Sequence, residues 1–229
     1  MDKFVSWLRQ LRFDGVWQTA VLVAASILCI TVHEMCHGLA AYRLGDQTAK
    51  RAGRLSLNPL RHVDIGGLLM MALFGFGWAK PVPVDMRNFR HPKRDMALTA
   101  AAGPVSNVLL AYLAELLYGL CAYWYYRTGQ TAAYVLALFL YDVEIISAGL
   151  AVFNLIPIPP LDGSKVLLAV LSDRAYDWLM RYERYGMLLL MVLLFTNVLD
   201  TPLEFLRGGL LEALQAIGSW PVRLLLALH

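Results

Sequence analysis

Two histidines and a glutamate within five residues, the run HEMCH at 33–37, carry the clearest chemistry in the chain. Residues four apart on a helix lie on one face, a turn apart, so the imidazoles of His33 and His37 project together. Two nitrogens so placed suit one zinc ion, with Glu34 beside the water that such a metal polarises. The setting matters as much as the spacing. Residues 15–32, directly before His33, carry no charge. An ionisable group at the centre of a helix in lipid costs on the order of a few kcal/mol. Groups that costly in that place point to a metal site. His62 and His91 lie in basic loops and read as ordinary hydrogen-bonded histidines.

A catalytic zinc takes three protein ligands and keeps one position open. Glu115, Asp142 and Glu144 lie within apolar stretches, and Asp162 lies in NLIPIPPLDG, 154–163. Pro157, Pro159 and Pro160 exclude a regular helix there. Non-helical backbone at membrane depth is tolerated only where it lines a protein-buried or watery cavity. Asp162 ends that segment on the side of the membrane where His33 is expected, which makes it the best third ligand on position alone. Asp142 and Glu144 fall nearer the middle of their span and read as a polar seam against another helix, facing Glu115. In AAGPVSN, 101–107, small residues permit close helix approach and Gly103-Pro104 loosens the backbone. Asn107 serves equally well there as a donor to a developing oxyanion or as an interhelical hydrogen bond.

The elements that must hold these groups are apolar helices. Of 229 residues, 59% are hydrophobic and 16% charged, against about 45–50% and about 25% in soluble domains. That balance predicts an all-α polytopic membrane protein of four to six transmembrane helices. Residues 16–42, 96–126, 132–156 and 182–199 read as spans. The stretch 65–79 would reach only about 22 Å as a helix, less than the hydrocarbon core, and its glycines favour a re-entrant segment. Charge placement agrees. Loop 43–64 (Arg43, Lys50, Arg51, Arg54, Arg61) and loop 80–94 (Lys80, Arg87, Arg90, Lys93, Arg94) face one side only if 65–79 turns back, as the positive-inside rule prefers. Lys165, Arg174, Arg181 and Arg184 then fall on the same cytoplasmic side. Residues 1–13 suggest an interfacial helix, and 202–217 an amphipathic one. Cys29, Cys36 and Cys121 lack any paired spacing and read as small core residues. One membrane-embedded domain, 1–229, is expected, with its core at about 16–172 and C-terminal helices over 173–229.

HEMCH, GPVSN at 103–107 and NLIPIPPLDG, in that order, resemble the site-2 protease family (peptidase M50) of intramembrane zinc metalloproteases. GRLSLNPLRHVD, 53–64, and FGWAKPVPVD, 76–85, resemble connecting segments of its compact prokaryotic members without a PDZ domain. The resemblance implies His33, His37 and Asp162 as ligands of one zinc per chain, and Glu34 as catalytic acid and base. It also implies Asn107 beside the active site, and a re-entrant β-like segment between the first two spans. The expected function is an intramembrane metalloendopeptidase, a hydrolase cutting within or near a transmembrane segment of a membrane protein. Its partners would be a transmembrane or signal-peptide-like substrate and the lipid bilayer, with no nucleic acid. The expected location is a prokaryotic cell membrane, with the active site towards the cytoplasm. The competing non-enzyme reading is a zinc-binding membrane scaffold or inactive relative, for which loss of the glutamate would be the sign; Glu34 is present. A di-iron membrane desaturase needs many more histidines than the five here. A prenyl-protein protease would take glutamate, Glu115 or Glu144, as third ligand.

Overall fold

The computed structural model describes residues 16–64, 66–67, 80–167 and 169–227. Its helices in chain order are α1 (Val16–Arg43), a single turn α2 (Thr48–Arg51), α3 (Pro92–Thr128), α4 (Thr131–Asn154), α5 (Asp162–Leu167), α6 (Asp173–Phe195), α7 (Asp200–Gly218) and α8 (Trp220–Ala227). No strand occurs among the described residues. The expected re-entrant segment 65–79, apart from residues 66–67, and the interfacial helix 1–13 lie outside the described residues.

Among the described residues, three helices are long and apolar enough to cross a membrane: α1 from Gln18, α3 and α4. Each exceeds the roughly 20 residues that a bilayer core requires. Within the described residues a fourth crossing exists only if Tyr185–Phe195 and Asp200–Leu225, bent by 87° at their junction, form one broken span. The expectation of four to six spans therefore meets the structure at its lower edge alone. The apolar stretch 182–199 does not continue as a straight helix. It stops at Phe195, and Asn197 adopts a left-handed φ of 57°, a conformation that ends a helix.

Helix ends follow local chemistry. Proline begins α3, where its missing N–H costs nothing. Asp95 in the first turn of α3 accepts the His91 N–H at 3.0 Å. Gly129, at φ 65°, closes the helix by donating its N–H to the Tyr125 carbonyl. The long helices pack through small residues, which let backbones approach closely. Ala25 and Cys29 of α1 meet Ala114 of α3 and Val143 of α4. Ala111 and Ala148 take Leu210, Leu211 and Leu214 of α7. Thus part of the amphipathic tail docks on the bundle, while Leu206 and Ile217 point outward. A Cβ on Gly218 would strike Glu115, and one on Gly119 would strike Val222. These pairings run α7 and α8 alongside α3 in the same direction. On the opposite side of α3, Val105, Leu109, Leu113 and Leu117 form an uncovered apolar line with a four-residue repeat.

The chain between α1 and α3 is clasped at the α1 C-terminus. Buried Asp46 accepts the Thr48 N–H, the Asp85 N–H and the Asn88 side-chain amide at 2.8–2.9 Å. This clasp brings the extended stretch 80–85 back across the end of α1, where the histidines are.

Candidate metal centre

The two histidines stand on α1 one turn apart, with ring centroids 4.5 Å apart and planes at 87°. Their Nε2 atoms lie 2.9 Å from each other and each 3.1 Å from Asp162 Oδ2. Among the described residues this is the one cluster of histidine, cysteine and carboxylate groups able to hold a metal ion. Four ligands about 2.0–2.1 Å from a tetrahedral zinc have donor atoms about 3.3 Å apart. The observed triangle is such a set drawn slightly inward, so nitrogen, nitrogen and carboxylate fit zinc in both type and spacing. Burial by itself would raise the Asp162 carboxyl. The hydrogen bonds and charges of His33 and His37 outweigh it and hold that group below the usual carboxylate range, ionised.

The ligands are oriented from behind. His37 Nδ1 donates to the Thr99 carbonyl at 2.8 Å, which leaves its Nε2 lone pair for a metal. His33 Nδ1 lies 3.2 Å from the Asn107 side-chain amide. With Nε2 given to a metal, His33 carries its proton on Nδ1 and needs an acceptor. Asn107 is fully buried and its Oδ1 has no partner among the described residues. A half-turn of the amide brings that oxygen onto the imidazole proton. The close approach of α3 depends on Gly103. A Cβ there would overlap His37 Nε2 and lie 2.7 Å from His33 Cε1.

Asp162 is delivered by the proline-broken loop after α4, as the first residue of α5. Gly163 lets that turn close, because a Cβ there would collide with the carbonyls of Leu155 and Ile156. Glu34 faces the same space, and its Oε2 accepts the Val82 backbone N–H at 3.0 Å. Together they enclose a cavity of about 150 Å³, whose wall includes Val84, Met96, Asn154 and Lys165. That is room for several waters.

The structure thus gathers His33, Glu34, His37 and Asp162 around one cavity. Asn107 stands behind His33 and is not part of the cavity wall. Glu144 instead lies beside Glu115 and Gln215 in the α3–α4–α7 seam, and Asp142 joins no ligand set. Sequence reasoning missed the Thr99 carbonyl and the Val82 amide, which are backbone groups with no side-chain signature. It also passed over Asn154 and Lys165. Lys165 stands three residues after Asp162, and that spacing was the available signal.

The model of peptidase family M50 matches residues 117–197. "Putative zinc metalloprotease YwhC" of Bacillus subtilis is 36% identical over 206 residues, covering 86% of this chain and 91% of the relative. Rip2 of Mycolicibacterium smegmatis, with the same designation, is 30% identical over 199 residues, 84% of this chain and 73% of its own. MJ0611 of Methanocaldococcus jannaschii, again so designated, is 29% identical over 136 residues, 59% of this chain and 62% of its own. No solved structure matches this chain.

Proposed function

The chain belongs to peptidase family M50 and is a zinc metalloprotease, and from that premise we propose that it hydrolyses a peptide bond within or near a transmembrane segment of another membrane protein. The observation that supports this most is the place of the donor set. His33 and His37 stand on a helix long and apolar enough to cross a bilayer, and the Glu34 carboxylate shares their cavity. A chain that only anchored itself in lipid would have no use for ionisable groups there. The protein is then a multi-pass membrane protein whose basic loops, and with them the cavity, face the cytoplasm.

His33, His37 and Asp162 hold one zinc, which when bound polarises a water and the substrate carbonyl. Glu34 takes a proton from the attacking water and delivers it to the departing amine nitrogen. One of its oxygens accepts the Val82 N–H, which leaves the other for the water. Thr99 and Asn107 fix the two imidazoles, so Asn107 acts as a positioning residue. The substrate enters unwound, because a helical carbonyl is hydrogen-bonded and shielded. The stretch 81–84 borders the cavity through Pro81, Val82 and Val84, so the substrate chain passes beside it.

The test is cleavage of a single-pass membrane substrate by purified protein, with Glu34→Gln beside wild type. The variant should keep its zinc and lose activity by about 10²–10⁴-fold, the usual worth of a general acid and base. A fully active Glu34→Gln enzyme would remove Glu34 from the mechanism. Zinc without cleavage in the wild type would favour a zinc-holding scaffold.

A further inference from the structure

Five side chains on the cavity wall carry N–H or O–H donors: His33, His37, Thr99, Asn154 and Lys165. The imidazoles are committed to the metal and to their supports. Asn154 places one of its two amide N–H groups on the Leu150 carbonyl at 3.0 Å and keeps the other. The Val82 backbone amide is on Glu34. Asn107, the sequence's candidate for an oxyanion donor, is fully buried behind His33 and does not reach the wall. Besides that second Asn154 N–H, two donors remain. The Thr99 hydroxyl is buried and without a partner, but it is neutral and fixed on α3. Lys165 is the one cation among the wall residues. It is half-buried and makes no ion pair or hydrogen bond among the described residues. Asp162 and Lys165 stand three apart on α5, so one helix face delivers a metal ligand and an ammonium to the same space. The Asp162 carboxylate is turned onto the histidines, which leaves the ammonium for an incoming group.

We propose that Lys165 is the donor that meets the carbonyl oxygen of the scissile bond. The assignment rests on the peptidase reading above. As the water oxygen bonds to the carbonyl carbon, the π pair moves onto the carbonyl oxygen and Glu34 receives the proton. Collapse re-forms the carbonyl, breaks the C–N bond and returns that proton to the nitrogen. Lys165 keeps its own protons throughout and contributes where negative charge develops. A charge-assisted hydrogen bond of this kind is about twice as strong as one from a neutral hydroxyl or amide, which favours Lys165 over Thr99 and Asn154. The flexible stem lets the ammonium follow the oxygen as the carbon becomes tetrahedral.

The experiment uses the full zinc-loaded chain in detergent and compares Lys165→Met, Lys165→Arg and Thr99→Val. Two quantities are read: kcat and KM on a transmembrane peptide, and Kd for a peptide phosphonamidate, whose tetrahedral oxyanion mimics the transition state. Lys165→Met should keep one zinc and hold KM within about twofold. Its kcat should fall about 10²-fold, the scale of losing one such donor, and phosphonamidate Kd should rise by a similar factor. Lys165→Arg should recover most of both. An unchanged kcat, a rise in KM alone, or loss of zinc in Lys165→Met would each overturn the assignment. So would a larger kcat loss in Thr99→Val. If wild type cleaved no transmembrane peptide, the substrate reading would fall, whereas the phosphonamidate titration would still decide Lys165.

Discussion

The bundle buries two groups of ionisable side chains, and they are built differently. At one end, His33, His37 and Asp162 converge to 2.9–3.1 Å, each imidazole is braced from behind, and a cavity lies in front. In the α3–α4–α7 seam, Glu144 is fully buried beside Glu115 and Gln215. The seam contributes no histidine, and Gly218 presses directly against Glu115. Both groups carry the cost of polar burial. Only the first has oriented donors and an open space, and that is what separates a site from a packed polar contact.

The comparison can be broken most severely at Gly103. Gly103→Val would drive α3 off both imidazoles, and zinc content should fall below about a tenth of wild type, since ligand geometry tolerates little displacement. Metal analysis of the folded protein checks it. Next is Asn107→Ala, which strips His33 of its support and should weaken zinc affinity by about 10–100-fold, read by chelator competition. An unchanged affinity would return Asn107 to the role of a plain interhelical contact. Glu144→Gln sharpens the contrast from the other side. It should leave zinc affinity within about twofold and alter only thermal stability, by about 1–2 kcal/mol for a buried polar group in either direction. The smallest effect lies at the clasp. Burial would raise the Asp46 carboxyl, but hydrogen bonds from Thr48, Asp85 and Asn88 hold it below the ordinary range. A depressed folded pKa means that its stabilisation is present above the unfolded pKa of about 3.9 and is lost as pH falls further through the folded value. Thermal unfolding of Asp46→Asn should therefore show a shallower loss of stability than wild type between about pH 5 and pH 3.

Much of the site was legible because its chemistry is carried by side chains at helical spacing. HEMCH places two candidate ligands on one helical face, and the prolines of 154–163 mark a broken segment that needs a cavity to line. The seam of Glu144 against Glu115 also followed from position. What escaped was written in the backbone. The Thr99 carbonyl and the Val82 amide act without side chains, and the turn at Asn197 that bends α6 away from α7 depends on a dihedral angle that hydropathy does not encode. Asn107 was visible as a residue of interest, yet its partner depended on how closely α3 could approach α1, which Gly103 sets.

The most direct test of the central claim is zinc per chain in purified wild type, Asp162→Ala and Glu144→Gln protein. The account predicts about one zinc in wild type and in Glu144→Gln, and little in Asp162→Ala, because a catalytic zinc needs its third protein ligand. Zinc retained without Asp162 and lost without Glu144 would contradict it, moving the third ligand into the seam.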